Sequence, residues 1–192
     1  LWIVAGTLPL PPKDQPNAKV NACSLLIDEH GEIVARYDKL HLFDVDVADG
    51  HGHYRESASF VPGEQWCVID TPFGGLGLSI CYDVRFPEFF RAQQPFEVLL
   101  LPAAFTHTTG QAHWTLLLRA RAVENQCYVV AAAQGGLHES GRRTFGHSMI
   151  IDPWGEVIDE LPEGEGVVIA PLNAARLASV RTRLPALAHR LL

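Results

Sequence analysis

Three short runs limit what this chain can fold into: Leu76 to Ile80, Val98 to Leu101 and Tyr128 to Ala133 are apolar almost throughout and of strand rather than helix length. A strand facing water on one side alternates polar and apolar residues. One that does not alternate belongs in a sheet covered on both faces. Between the second and third runs, Gln111 to Asn125 places Trp114, Leu117, Leu118, Arg121 and Ala122 at three- and four-residue spacing, the signature of an amphipathic helix. Between the first and second, Arg85-Phe86-Pro87-Glu88 opens another helix, because proline is tolerated where a helix N–H would be unpaired anyway. Strand, helix, strand, helix, strand predicts a layered α/β sandwich.

The rest of the chain extends that pattern. Val20 to Ile27 and Glu32 to Tyr37 are two strands joined by Asp28-Glu29-His30-Gly31, a hairpin signal. Leu1 to Gly6 has the character of a buried strand, and Cys67 to Asp70 that of a strand turning through Thr71-Pro72-Phe73-Gly74-Gly75. Phe145 to Asp152, Glu156 to Glu160 and Gly166 to Leu172 are further strands, and Ala174 to Arg183 is a closing helix. The polar stretch from Phe43 to Pro62 is expected to be a long loop, functional or mobile.

Composition narrows the function classes. The 192 residues are 47% hydrophobic and 19% charged, which is the make-up of a folded domain. Fifteen Lys and Arg against 22 Asp and Glu give a net charge of −7, so there is no basic field for nucleic acid or an anionic membrane surface. Cys23, Cys67, Cys81 and Cys127 are scattered, with no zinc-binding spacing and no export signal, which points to free thiols in a reducing cytoplasm. His41, His51 and His53 stand near Asp44, Asp46 and Asp49, but without compact ligand spacing, and a solvated loop accounts for them better than a metal. The chain begins at Leu1 and its one methionine is Met149. The expectation is a single domain over residues 1–192 whose N-terminal part lies outside this sequence.

Chemistry concentrates at Cys81. A thiol at the end of a buried strand and the start of a helix sits beside N–H groups that lower its pKa and can hold an oxyanion. That is the arrangement of a nucleophile elbow, although most free cysteines are simply buried core. Lys39 follows the strand ending at Tyr37 among apolar residues, and its ammonium is either an oxyanion partner or a strand-end lysine reaching water. His107 and His113, near Trp114, are candidates for lining a substrate pocket. Arg119 and Arg121 suit ion-paired support of the same helix, whereas Arg85 and Arg142 or Arg143 are candidate anchors for a substrate carboxylate.

Five motifs in order resemble those of the nitrilase superfamily of carbon–nitrogen hydrolases: Asp38-Lys39-Leu40-His41-Leu42-Phe43; Glu56-Ser57 with Phe60-Val61-Pro62-Gly63; Ile80-Cys81-Tyr82-Asp83-Val84-Arg85-Phe86-Pro87-Glu88; Arg119 to Asn125; and Gly146-His147-Ser148 leading to Asp152-Pro153-Trp154-Gly155. Within that superfamily, Pro102-Ala103-Ala104-Phe105 and Thr109 to Trp114 look most similar to the deaminated glutathione amidase branch, with the ω-amidases close by.

The resemblance implies a four-layer αββα sandwich and a Glu–Lys–Cys triad without metal or other cofactor. In it Cys81 is the nucleophile, Lys39 holds the oxyanion with a backbone N–H near Tyr82, and Glu56 supports Lys39. Tyr82, Arg85, Phe105, His107 and His113 are the implied substrate contacts. The substrates are a small carboxylate-bearing amide and water, and a homodimer is implied through Phe86 to Gln93 and Gln111 to Asn125. The base glutamate of the family precedes the lysine, and none of Asp14, Asp28, Glu29, Glu32 and Asp38 stands in a matching motif. The base is therefore expected upstream of Leu1. The competing readings are an inactive fragment or homologue acting as an assembly module, and a metal-dependent amidohydrolase.

Overall fold

In the computed structural model, which describes residues 1–12, 19–50 and 52–191, the three apolar runs form the centre of the larger of two main sheets. Gly74–Leu78 (β7), Val98–Leu100 (β8) and Tyr128–Ala131 (β9) lie parallel and side by side. Their connections hold the helices Pro87–Gln93 (α1) and His107–Asn125 (α2). Val68–Thr71 (β6) pairs antiparallel outside β7, while Ser148–Ile151 (β12) and Val157–Leu161 (β13) extend the other edge, also antiparallel. Leu78, Leu99, Val129 and Ile151 share one buried cluster with Phe90, Trp114 and Leu118 of the helices. Leu76, Val98 and Tyr128 pack instead with Leu26 of the smaller sheet. Coverage on both faces is why these strands do not alternate.

The smaller sheet is the antiparallel set Ile3–Leu10 (β1), Asn21–Ile27 (β2) and Ile33–Asp38 (β3), with β2 in the middle and buried along six of its seven residues. Helix, large sheet and small sheet thus stack as layers, and the mixed α/β architecture is the expected one. Ala174–Arg183 (α3) closes the end of the sandwich where β8 and β9 begin. Its Leu177 joins Val98 and Tyr128, and its Arg181 donates to the carbonyls of Phe96 and Gln126 and pairs with Glu97. The opposite end, where the parallel strands finish, is left for a site.

Several local expectations need correction. The stretch 43–62 is not a bare loop: Asp44–Val47 (β4) and Gly52–Arg55 (β5) form a ribbon, turned through Gly50 and Gly52 at positive φ, and a short 3-10 turn spans Glu56–Ala58. The alternation of Asp44-Val45-Asp46-Val47 carried that signal beneath the polarity. Phe145 to Asp152 is split, because Gly146 and His147 take positive φ and separate Arg143–Phe145 (β11), paired with Gly135–Leu137 (β10), from β12. Gly166 to Leu172 forms no strand: Val167 and Ile169 are exposed, and no strand among the described residues offers a ladder. β1 is a strand but an edge one, with Ile3 and Leu8 exposed rather than buried. α2 starts at His107, four residues before the periodic pattern, and Gly110 within it allows α2 to close on Phe145, where a Cβ would overlap the ring.

Candidate active site

Cys81 is the first residue of a 3-10 turn, Cys81–Arg85, that follows β7. Its φ of 49° is left-handed, a conformation a non-glycine residue holds only when its surroundings impose it. The Cys81 N–H donates to the Pro102 carbonyl at 2.9 Å, which ties the turn to the end of β8. Asp83, with no solvent exposure, ties it to the smaller sheet. One carboxylate oxygen accepts from the Ile80 N–H at 2.8 Å and the Tyr37 hydroxyl at 2.7 Å; the other accepts from the His41 N–H at 3.2 Å and lies 2.7 Å from His41 Nδ1. His41 in turn stacks on Phe86, its ring centroid 3.7 Å away. His41 therefore belongs to this buried bracket and not to a solvated loop. His53 does face solvent, beside Asp46, and His51 lies outside the described residues.

Lys39 follows β3 directly and is 3% exposed. Its backbone is clamped on both sides, the N–H donating to Ala22 and the carbonyl accepting from Gly63 at 2.8 Å. Gly63 is required there because a Cβ would overlap the Asp38 carbonyl, which accounts physically for the Phe60-Val61-Pro62-Gly63 motif. The buried ammonium is neutralised by Glu56 at 2.5 Å, and the same carboxylate oxygen accepts from the Phe43 N–H at 2.6 Å. A buried charge needs such a partner, and Glu56 holds Lys39 in place.

These groups face one cavity of about 490 Å³, a size suited to a small-molecule ligand. Cys81, Lys39, Glu56, Tyr82 and Phe105 line it. Arg85, His107 and His113 do not. The Arg85 guanidinium lies 5.0 Å and 5.9 Å from the ring centroids of Phe105 and Tyr82 and bonds to His113, so the rings rather than the cation form the wall. His107 packs edge-on against Phe145 at the start of α2. Arg142 does line the cavity, whereas its neighbour Arg143 pairs loosely with Glu163 elsewhere. Arg121 is ion-paired to Glu124, as expected, and Arg119 donates to the Gly155 carbonyl. Among the described residues no cluster of three or more His, Cys, Asp or Glu is arranged to hold a metal, and all four cysteines are free.

Burial pushes the Cys81 thiol above its ordinary value, opposed by the Lys39 ammonium, the Ala104 N–H and Arg142. The thiol is thus protonated at neutral pH and needs a proton acceptor to become a nucleophile. Glu56 is the one carboxylate among the described residues lining the cavity, and it is committed to Lys39.

A cysteine at a left-handed elbow, lining one small cavity with a buried lysine, is an arrangement suited to a cysteine-nucleophile hydrolase. Residues 1–182 match the carbon–nitrogen hydrolase family, and the chain belongs to it. The deaminated glutathione amidase of Yersinia enterocolitica is 47% identical over 191 residues, covering 98% of this chain and 66% of that protein. The chain thus spans just under two thirds of that relative's length. Among solved structures, the Caenorhabditis elegans NitFhit protein aligns with all of this chain and 47% of its own at a TM-score of 0.89 and 42% identity. A mutant amidase from Nesterenkonia sp. AN1, 32% identical with a TM-score of 0.77, aligns over 100% of this chain and 68% of its own. In that structure the acetamide moiety of fluoroacetamide is added covalently at the active site cysteine.

Proposed function

We propose that this chain supplies the nucleophile and oxyanion side of an amidase that hydrolyses a small carboxylate-bearing amide, of the kind deaminated glutathione represents. The observation that carries the reading is Cys81, held at a left-handed elbow on the wall it shares with the buried Lys39–Glu56 pair. The names of the relatives support the substrate class.

In this mechanism the Cys81 sulfur attacks the amide carbonyl as its proton passes to a carboxylate base. The resulting oxyanion lies against the Lys39 ammonium and the Tyr82 N–H, which at the second position of the 3-10 turn has no partner within that turn. The base then protonates the departing amine or ammonia, leaving a Cys81 thioester, and water cleaves the thioester by the reverse sequence. We place the base in a part of the domain outside residues 1–192, a reading supported by the commitment of Glu56 to Lys39. Phe105 and Tyr82 bound the acyl chain; Arg85 and His113 support those rings from behind the wall, and His107 packs on Phe145 at the start of α2.

Four free thiols support a reducing, cytoplasmic setting. Exposed Leu116 and Val123 on α2, with Trp154 next to the Gly155 turn that abuts Val123, support a homodimer through the outer face of that helix. Incubation of the protein, including the segment that carries the base, with an amide of this class should release ammonia or amine, and Cys81→Ala should reduce release to background. Undiminished release by the Cys81→Ala protein would overturn the assignment.

A further inference from the structure

Among the described residues three cationic side chains line the cavity: Lys39, Arg55 and Arg142. Two of them are matched, Lys39 by Glu56 and Arg55 by Asp46 at 2.9 Å. Arg142 has no carboxylate within ion-pair distance among the described residues. It sits in the turn between β10 and β11 and is half-buried, with one terminal N–H donating to the Ala104 carbonyl at 2.5 Å. The guanidinium also lies 5.5 Å from the Tyr54 ring centroid, and the Tyr54 hydroxyl donates to Asp49. Its Nε is enclosed and unpaired.

Ala104 links this cation to the nucleophile. Its carbonyl receives Arg142, and its N–H, like the Arg142 charge, favours the ionised form of the Cys81 thiol. Ala104 lines the cavity between the thiol and the guanidinium, and one residue of backbone with a hydrogen bond at its carbonyl corresponds to a span of roughly 5–9 Å. A planar guanidinium held by two neutral partners keeps its charge and its remaining donors for an anion, and carboxylate is the geometry it matches best.

We propose that Arg142 is the specificity-determining anchor for a carboxylate on the acyl part of the substrate, roughly three to five bonds from the scissile carbonyl given that span. The proposal rests on the amidase reading above and names the group that selects anionic over neutral amides. An acyl chain of that length reaches from Cys81 to Arg142 along the wall formed by Ala104 and Phe105, so the carboxylate fixes the distance at which the carbonyl meets sulfur.

The test compares Arg142→Gln and Arg142→Lys with the unaltered protein, each including the segment that carries the base, on glutaric acid monoamide and on pentanamide, a neutral amide of equal chain length. Loss of the anchor should raise KM for the anionic amide about 10- to 100-fold, at least tenfold more than for the neutral one, with Arg142→Lys between. A second readout needs no turnover: glutarate should slow alkylation of Cys81 by iodoacetamide in the unaltered protein and much less in Arg142→Gln. Equal losses on both amides, or equal protection by glutarate in Arg142→Gln, would overturn the anchor. Protection that depends on Arg142 in a protein that turns over neither amide would uphold the anchor and contradict the amidase reading instead.

Discussion

A thiol buried in a protein wall is a poor nucleophile until something favours its charged form. At Cys81 desolvation raises the pKa, and Lys39 is the foremost opposing influence. Alkylation of Cys81 by iodoacetamide should therefore keep accelerating about tenfold per pH unit beyond pH 9, where an ordinary thiol levels off, because the reactive fraction grows until the raised pKa is reached. Lys39→Met removes the favourable charge and leaves Glu56 unpaired, so both changes push the pKa higher and the rate at pH 8 should fall. An unchanged rate at pH 8 would detach Lys39 from the nucleophile. At this scale the sequence was informative where a motif fixes backbone and side chain together, as for Cys81, Lys39 and Glu56. It was poor where a side chain's direction depends on a distant turn. Arg85 and Arg142 were alike in sequence as candidate anchors, and only the stacking of Arg85 on Phe105 and Tyr82 removes it from the cavity wall.

The elements that carry these residues are joined by few but specific contacts. Asp83 connects the elbow after β7 to β3 and the segment after it, so one carboxylate fixes the Cys81 turn and the lysine strand relative to each other. Asp83→Asn keeps the shape but turns an acceptor into a donor facing His41 or Ile80. The variant should lose about 1–3 kcal/mol of stability in urea denaturation and react more slowly at Cys81. Reactivity and stability both equal to the unaltered protein would show the bracket to be dispensable. Gly110→Ala drives a methyl into Phe145 and should cost roughly 1–3 kcal/mol through separation of α2 from β11, read as a lower urea midpoint. Elements with strong periodicity or clear breaks were legible, as the bounds of α3 and the β2–β3 hairpin show. The strand expected over Gly166 to Leu172 does not form because strand propensity is realised only where a neighbour supplies hydrogen bonds, which the sequence of the segment itself does not record.

For the whole molecule, the stacked sheets place the functional groups at the ends of the parallel strands while α3 seals the other end. Runs apolar on both faces made that layering legible before any pairing was known; the register that brings Lys39 beside Cys81 was not, since it depends on how the two sheets cross. Burying thiols throughout this core also makes stability depend on pH. Burial and Asp38 push Cys23 up to about 12, and burial pushes Cys127 up as well. Folded pKa values above the unfolded one mean that the stabilisation is complete below about pH 9 and declines as pH rises toward the folded values, by about 1.4 kcal/mol per pH unit for each thiol. Urea midpoints at pH 8 and pH 10 should differ accordingly, and less so in Cys127→Ala. The central claim, that Cys81 forms a thioester with a carboxylate-bearing amide, is tested most directly by mass spectrometry of the protein quenched in acid during incubation with such an amide. The account predicts an acyl mass on the peptide containing Cys81 and none in Cys81→Ser under the same quench; an acyl mass on any other residue, or its persistence elsewhere in Cys81→Ser, would contradict it.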